Sequence, residues 1–480
     1  MQVKTFIQQL IHYFPAQIAP AIINVVIIAI LTRSFTVEIY GDYVLITTIV
    51  TFIITVLTQW LIQSILYFRP KYIESGQLEE FDSQLANVIN KFVIFIFGIL
   101  LFLIIVNLLV GGLVLYIFAL LLILVQSVFT IELVILQSDM KSAKYTKRVF
   151  ISNILRLALI ILLAFIGIDI EKVLLVLIIS YGIFIIPNIG RYVLINTNYT
   201  SSSRSFIRKM LTYGLPMLGW FLSVSLMNVG DRFLIKYFQG SEAVGLYTGN
   251  YTIIVASLGL VFIPLTMVIH SMLMKFAVNI KEQKEEIELF ISKFTTIFFI
   301  VGVPVILLVF KFRKEIAFLF LGEPYVEASN IIPIVMIGIF LWNLAMIGHK
   351  GIEILNKTKV MFYFAITSCT ISFLLNTILI QKFSYIGAAY GNMIAFSIYC
   401  ILVYVYSLKL IRWRWNIKEI TIVLICGSIM IISLNLFDIS LQADLRIGVL
   451  KIILISIFTM IIYVTLIVIT MKKKLINIKF

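Results

Sequence analysis

Residues 92–137 read FVIFIFGILLFLIIVNLLVGGLVLYIFALLLILVQSVFTIELVILQ and contain one charged side chain, Glu132. A helix needs about 20 mostly apolar residues to cross the hydrocarbon core of a bilayer. This stretch covers most of two runs of that length, 88–107 and 112–137. Neither run alternates between apolar and polar residues as a barrel strand does. The stretch therefore predicts two consecutive transmembrane helices.

The composition of the whole chain favours the same class of protein. Of its 480 residues, 61% are hydrophobic and 13% are charged, whereas soluble proteins average about 45–50% and about 25%. The surface of a soluble globule could not be covered by so few charges. Three cysteines lie in apolar runs at spacings that fit no metal site, and three histidines are too few for a His-rich one. We therefore expect no metal, no cofactor and no disulfide framework.

Fourteen apolar runs are long enough to span a membrane, which predicts an all-α integral membrane protein. The first run is too long for a cleaved signal peptide and lacks its cleavage site. The loops between the runs are too short for a soluble domain. The runs are 14–32, 43–67, 88–107, 112–137, 149–167, 173–195, 211–235, 246–270, 291–310, 330–348, 361–381, 387–407, 419–436 and 448–471.

The distribution of basic residues predicts the orientation. With a cytoplasmic N-terminus, the inner segments hold 27 Lys and Arg and the outer segments hold ten, with Arg156 inside a span. Such an excess on one side is the positive-inside pattern of membrane proteins, and it predicts that both termini are cytoplasmic. The formal net charge of +15 is then a property of the inner face, so it does not predict a nucleic acid partner. The charged segment 275–290 is expected to be a solvated inner loop or surface helix.

An internal repeat divides the chain. The pattern E-x-x-G-x-Y occurs at 38–43 and again 204 residues later at 242–247, both times on a predicted outer loop. An acidic pair follows at 79–80 and at 285–286, and spans 1 and 7 both begin with a tyrosine shortly before a proline. The alternative is a chance likeness between apolar sequences. Three features in the same order favour a true repeat.

The repeat predicts four segments of the chain. These are a six-helix lobe (1–195), a basic cytoplasmic linker (196–210), a second six-helix lobe (211–410), and two extra helices with a basic tail (411–480). Because each lobe has an even number of spans, both lobes keep the same orientation. Parallel repeats of this kind are typical of transporters whose substrate path lies between the repeats.

Three segments carry a resemblance to a known family. They are DRFLIKYFQGSEAVGLY at 231–247, TRSFTVEIYGDY at 32–43 and YIGAAYG at 385–391. In this order and spacing they resemble polysaccharide-unit flippases of the Wzx type, within the multidrug/oligosaccharidyl-lipid/polysaccharide exporter superfamily. The resemblance covers nearly the whole chain. It implies two pseudo-symmetric six-helix lobes of the MATE type around a central cavity, plus two C-terminal helices that cradle a lipid tail.

The resemblance also implies a function. The chain would move isoprenoid-pyrophosphate-linked oligosaccharide units, destined for O-antigen, capsule or exopolysaccharide, across the bacterial cytoplasmic membrane by alternating access. Energy would come from a coupling ion (proton or sodium) or from consumption of the product outside, and the sequence does not choose between them. A polysaccharide polymerase and glycosyltransferases would be its further partners. The sequence contains no P-loop and no outer loop long enough for an enzyme site, so we expect no enzymatic activity. Two alternatives stay open: an ion-coupled drug or metabolite antiporter of the same superfamily, and a membrane polysaccharide polymerase.

Two charges lie clearly inside spans, and each is costly there unless it faces a partner or a cavity. Glu132 lies near the inner end of span 4, and Arg156 lies at a similar depth in span 5. A salt bridge between them would lock the hairpin of these spans. Alternatively, Arg156 binds phosphate through its planar fork while Glu132 is a counter-charge or a protonatable coupling group. Snorkelling to the headgroups is the third alternative.

The remaining candidates fall into three groups, each of which could also have a purely structural role as an interface anchor or helix-packing contact. Cavity candidates, besides Arg156 and Glu132, are Arg33, Asn228, Asp231, Arg232, Gln59, Trp60, Gln63, Asn250, Trp342 and Asn343. Candidates for capture of the pyrophosphate headgroup are Arg69, Arg191, His349 and Lys350. Candidates for ion coupling are Glu132 and Asp231.

Overall fold

The structure is a computed structural model that describes residues 20–185, 201–273, 280, 282–355, 357–437 and 445–475. These residues form helices joined by short turns, with no β-strand among them. Ten of the helices are long and apolar enough to cross a membrane. The predicted all-α membrane fold is thereby confirmed.

Fourteen α-helices follow one another in the described residues, with two short 3-10 turns at Glu323–Tyr325 and Glu327–Asn330. They are α1 (Pro20–Ser34), α2 (Val37–Glu74), α3 (Leu78–Val110), α4 (Val114–Ser138), α5 (Ser142–Ile166), α6 (Ile170–Ile185), α7 (Ser201–Leu273), α8 (Lys284–Lys311), α9 (Arg313–Phe320), α10 (Ile331–Gly348), α11 (Lys350–Ile354), α12 (Thr358–Ser407), α13 (Ile417–Asn435) and α14 (Leu445–Leu475).

Two of these helices each contain two predicted spans. The backbone of α7 leaves the helical conformation at Gly240, where φ is 87°, and that of α12 does so at Ser384, where φ is 55°. Positive φ favours glycine because it has no Cβ. Divided at these residues, the helices provide one helical segment for each of the fourteen predicted spans, within the described parts of the chain. The predicted boundaries of the lobes and linker stay predictions.

One compact unit comprises Val26–Gly245. Within it, α4 packs against both α2 and α6. A core of buried apolar residues from α2, α3 and α4 lies at one level of this unit, and a second core from α2, α4 and α6 lies at another. By contrast, only six of the 33 residues of α3 are buried within the unit, as expected for a helix that faces lipid. Helix α4 is therefore the central helix of the unit.

The other compact unit comprises Leu246–Phe480 together with Met1–Val25. Helix α10 packs along α12 and α8, while α13 packs against both α14 and α8. Glu288, at the start of α8, is buried and accepts a hydrogen bond from the backbone N–H of Arg412 at 2.9 Å. Its other oxygen lies 2.7 Å from Arg414. The expectation that 275–290 is uniformly solvated is thus wrong at Glu288, which anchors the segment leading into α13.

The two copies of the repeat motif touch each other inside the unit Val26–Gly245. Helix α2 and the second part of α7 cross so closely that a Cβ on Gly41 would overlap the carbonyl oxygen of Ser241. A Cβ on Gly245 would equally overlap the carbonyl oxygen of Val37. The two contacts are equivalent under the 204-residue repeat. Each repeat glycine therefore permits the close approach of the other copy's backbone.

This crossing predicts that an added methyl group at Gly41 destabilises the protein. Gly41→Ala should lower the free energy of unfolding by about 1–3 kcal/mol, because backbone atoms must move to make room. Denaturation of the purified protein in mixed detergent micelles would measure it.

Gly230→Ala is the matched control, since a Cβ there meets no atom within 4 Å. Within a helix that change should be neutral or stabilising by up to about 1 kcal/mol. Equal stabilities of the two variants would contradict the close crossing.

Candidate functional site

Glu132 forms an ion pair with Arg148 inside the unit Val26–Gly245. Arg148 Nη1 donates to Glu132 Oε2 at 2.6 Å, and the Glu132 side chain is only 4% exposed. Glu132 lies six residues before the end of α4 at Ser138, and Arg148 lies six residues after the start of α5 at Ser142. The two charges are therefore about 9 Å from their helix ends, at matching depth.

Because predicted span 5 begins at residue 149, Arg148 is expected in the loop before it, and a bridge to Arg156 is one of three alternatives for Glu132. Helix α5 begins at Ser142, which is seven residues before the predicted span. The pair with Arg148 connects the two helices of the α4–α5 hairpin, the role that the structural alternative gives to a bridge with Arg156. A direct Glu132–Arg156 bridge stays a prediction.

The buried ion pair generates a stability prediction. Arg148→Gln should lower the free energy of unfolding by up to about 3 kcal/mol, because it leaves a buried carboxylate without this partner. Glu132→Gln should cost less, since a neutral amide is cheaper to bury than a charge.

The double variant should recover part of the loss, as measured by detergent denaturation in a double-mutant cycle. Lys144→Gln, at an exposed position on α5, is the control. Strictly additive losses would show that the two side chains do not interact.

Arg156 lies deeper, fourteen residues after the start of α5 and ten before its end. Its Nη2 donates to Oδ1 of Asn153, one turn earlier on the same helix, and its Nη1 lies 3.5 Å from the hydroxyl oxygen of Tyr181 on α6. The side chain is only partly buried. A guanidinium thus lies beside an amide and a phenol near the middle of the membrane span. Both of these neutral groups can also bond to phosphate or sugar hydroxyls.

A second polar cluster lies where α2 meets α7, toward the predicted outer face. Arg232 Nη1 donates to Thr48 Oγ1 at 3.0 Å, and the backbone N–H of Arg232 donates to the buried carboxylate of Asp231 at 2.8 Å. One turn further, Lys236 lies 3.0 Å from Asp42, which also accepts from Ser241. Arg232 therefore bonds to α2, the helix that carries the first repeat motif.

The other candidates in this unit show local contacts. Asn228 donates to the carbonyl of Val224 at 2.8 Å, and exposed Arg33 donates to that of Ala29 at 3.1 Å, both within one helix turn. Gln59, Trp60 and Gln63 are half-buried on α2. These positions fit helix packing as well as they fit substrate contact.

The candidates in the other unit support its internal packing. Asn250 is fully buried and donates to the carbonyl of Tyr325 at 3.1 Å. Trp342 packs against Tyr399, with ring centroids 4.8 Å apart, and Asn343 donates to Ile339 within α10. Sequence reasoning missed a buried polar cluster here: Asn392 accepts from Ser372 and Asn376 and donates to the hydroxyl of Tyr247. Single polar residues scattered through apolar runs gave no signal of this cluster.

Three of the four headgroup candidates already bind carboxylates. Arg69 is 3% exposed and binds both Asp82 and Asp139. His349 is buried 3.4 Å from Glu353, and Lys350 lies 2.6 Å from the same carboxylate. Arg191 lies outside the described residues. For these three side chains the geometry favours the structural alternative, because each charge has an internal partner.

Asp139 follows α4 and predicts a dependence of stability on pH. Burial alone would raise the pKa of this carboxyl, but hydrogen bonds from Arg69 and Lys141 outweigh burial and hold the pKa below its ordinary value. A depressed carboxyl pKa stabilises the fold above the unfolded pKa of about 3.9, and the contribution fades as pH falls toward the folded pKa.

Asp139→Asn should therefore lower the melting temperature by a constant amount at neutral pH and by progressively less below about pH 4. Glu171→Gln, at an exposed position on α6, serves as the control. A deficit that grew as the pH fell would contradict the assignment.

Comparison with known proteins shows the family of this chain. The sequence model of the family described as polysaccharide biosynthesis protein matches residues 6–277, more than half of the chain. The chain belongs to this family. A Shigella flexneri protein assigned as an O-antigen transporter is 26% identical over 187 residues. That alignment spans 39% of this chain and 41% of the relative, so the match covers about two fifths of the relative's length.

Solved structures share the fold. The lipid II flippase MurJ, in an inward closed conformation, is 17% identical with a TM-score of 0.72 over 96% of this chain and 99% of that chain. An inward-facing MATE transporter of the MOP superfamily is 15% identical with a TM-score of 0.62, covering 87% and 95%. The Vibrio cholerae MATE transporter VcmN is 14% identical with a TM-score of 0.56, covering 85% and 97%. The predicted MATE-like fold is thereby confirmed.

Proposed function

We propose that this member of the polysaccharide biosynthesis protein family translocates isoprenoid-pyrophosphate-linked oligosaccharide units across the bacterial cytoplasmic membrane by alternating access. Such a cargo has an apolar tail, a doubly charged pyrophosphate and a hydrated sugar chain. Unaided crossing would bring charges and hydroxyls into hydrocarbon, at several kcal/mol per unsatisfied group. The transporter has to supply polar partners along the path.

Arg156 is the observation that carries the proposal. A charged side chain at the centre of a membrane helix costs about 2.5–3.5 kcal/mol on insertion scales, and such residues usually serve function. Arg156 lies at that depth, partly exposed, beside the amide of Asn153 and the phenol of Tyr181. A planar guanidinium binds two phosphate oxygens at once, so this position suits the pyrophosphate of a lipid-linked sugar.

The Shigella relative supports the sugar-linked cargo through its description as an O-antigen transporter, and MurJ supports a flippase through its shared fold. A proton or sodium gradient is the proposed energy source, with Asp231 or Glu132 as the coupling carboxyl. A polysaccharide polymerase and glycosyltransferases are the proposed partners in the pathway. Cytoplasmic termini follow from the predicted excess of basic residues on the inner face.

Complementation of a flippase-deficient strain tests the proposal. The wild-type gene should restore surface polysaccharide, and Arg156→Ala should abolish it at unchanged protein level. Arg156→Lys should restore it only in part, because an ammonium keeps the charge but lacks the planar fork. Surface polysaccharide would be measured on gels and protein level by immunoblot.

Lys144→Ala, an exposed change nearer the start of the same helix, should leave transport intact. Normal polysaccharide in the Arg156→Ala strain would remove this residue from the site. Export of cationic dyes without any restoration of polysaccharide by the wild type would instead favour the antiporter alternative.

A further inference from the structure

Two tyrosines from different helices stack at the predicted cytoplasmic end of the unit Val26–Gly245. The rings of Tyr67 on α2 and Tyr213 on α7 have centroids 4.1 Å apart and planes inclined by 14°. Nearby backbone contacts hold these helices together, since Ser64 Oγ donates to the carbonyl of Met210 at 2.7 Å and Gly214 lies directly against the carbonyl of Trp60. The stacked pair is therefore held rigidly, although Tyr67 is 41% exposed.

Two lysines rest on this group of aromatic rings. Lys71 Nζ lies 3.6 Å from the centroid of the Tyr67 ring. Lys209 Nζ lies 4.9 Å from the Phe68 centroid and donates to the hydroxyl of Tyr72 at 3.3 Å. Both lysines are exposed. We call this group, defined by Tyr67, Phe68, Tyr72, Tyr213, Lys71 and Lys209, the lysine–aromatic cluster.

Neither ammonium group of the lysine–aromatic cluster is neutralised by a carboxylate within the described residues of this unit. Arg69, on the same end of α2, has two carboxylate partners. An aromatic face holds a cation in place through its quadrupole but leaves the net charge intact. The cluster is therefore a pair of positioned positive charges that an anion can approach.

The predicted span boundaries also put the cluster at the depth of lipid headgroups. The predicted span of α2 ends at residue 67, and that of the first part of α7 begins at residue 211. Tyrosines are common at this depth because their amphipathic rings anchor helices at the membrane–water interface. Anchoring at the interface requires neither a ring stack between two helices nor two lysines without a carboxylate partner. Lysine is a point-charge binder of phosphate, so the shared chemistry of a ligand here is a phosphate ester at the membrane surface.

We propose that Lys71 and Lys209, held by this aromatic frame, bind the pyrophosphate of the lipid-linked sugar before it enters the membrane path. This inference rests on the proposed function. It moves headgroup capture from Arg69, His349 and Lys350, whose charges have carboxylate partners, to two lysines that sequence reasoning counted only as part of the inner basic excess. Arg156 would then receive the pyrophosphate at a later stage.

Binding of a short-chain substrate analogue tests the assignment. Full-length protein in phosphatidylcholine nanodiscs would be titrated with farnesyl-pyrophosphoryl-N-acetylglucosamine. The double variant Lys71→Gln/Lys209→Gln should raise the Kd about tenfold, because each lysine contributes a charge-assisted contact. Lys71→Arg/Lys209→Arg should restore most of the affinity, because it keeps both charges. Tyr67→Leu should weaken binding and Tyr67→Phe should not, since phenylalanine keeps the ring under Lys71.

A matched control lies on α12, where exposed Lys359 and exposed Tyr363 are one turn apart at another predicted cytoplasmic end. Lys359→Gln and Tyr363→Leu should change the Kd by less than about twofold. The same double variant at Lys71 and Lys209 should raise the KM for transport in proteoliposomes more than it lowers the maximal rate. Size-exclusion chromatography and melting temperature would confirm that the variants are folded.

Three results would overturn the assignment. An unchanged Kd in the Lys71→Gln/Lys209→Gln variant would show that the lysines do not contact the pyrophosphate. Loss of analogue binding to wild-type protein when the discs contain phosphatidylglycerol would show that the cluster is a contact for ordinary phospholipid. An equal loss of affinity in the α12 variants would show that the effect on the Kd comes from general surface charge. Failure of the wild-type protein to bind the analogue in any disc would instead contradict the proposed function itself.

Discussion

Charged side chains at or within membrane-spanning helices need partners at matching depth, and this constraint orders the unit Val26–Gly245. Hydrocarbon offers neither water nor counter-ions, so an unmatched charge is costly there. Arg69 draws together the ends of α2, α3 and α4 by binding Asp82 and Asp139. Glu132 and Arg148 connect α4 to α5. With the register of α5 fixed by this pair, Arg156 lies about two turns deeper along the helix.

The fourteen spans could be predicted because the apolar length of a helix is a local property of the sequence. The partner of Glu132 could not, because depth depends on where a helix begins. Placing the start of span 5 at residue 149 rather than at Ser142 shifts the inferred depth by about 10 Å, enough to remove Arg148 from the membrane. Glu288 shows the same limit: its charged neighbours predict solvent, whereas its burial depends on a segment more than a hundred residues away.

The repeat shows a different limit of sequence reasoning. A 204-residue spacing establishes that Gly41 and Gly245 are equivalent positions, but equivalence does not imply contact. In the structure each glycine lies against the backbone of the other copy, at Ser241 and Val37. Such reciprocity is the property of an interface between two-fold related copies. The close helix crossing therefore explains why glycine occupies both positions. A role of these glycines in substrate binding is not required to explain them.

The chemical nature of each cation's partner separates structural from functional charges. A carboxylate neutralises the charge of Arg69, Arg148 or Lys350. For Arg69 and Arg148 the ion pair also joins two helices, whereas Glu353 lies on the same helix as Lys350. An amide, a phenol or an aromatic face orients a cation and leaves its charge available to a passing anion. Lys71 and Lys209 show contacts of this second kind. In the sequence both kinds appear only as Lys and Arg in or near apolar runs, so the distinction required the contacts themselves.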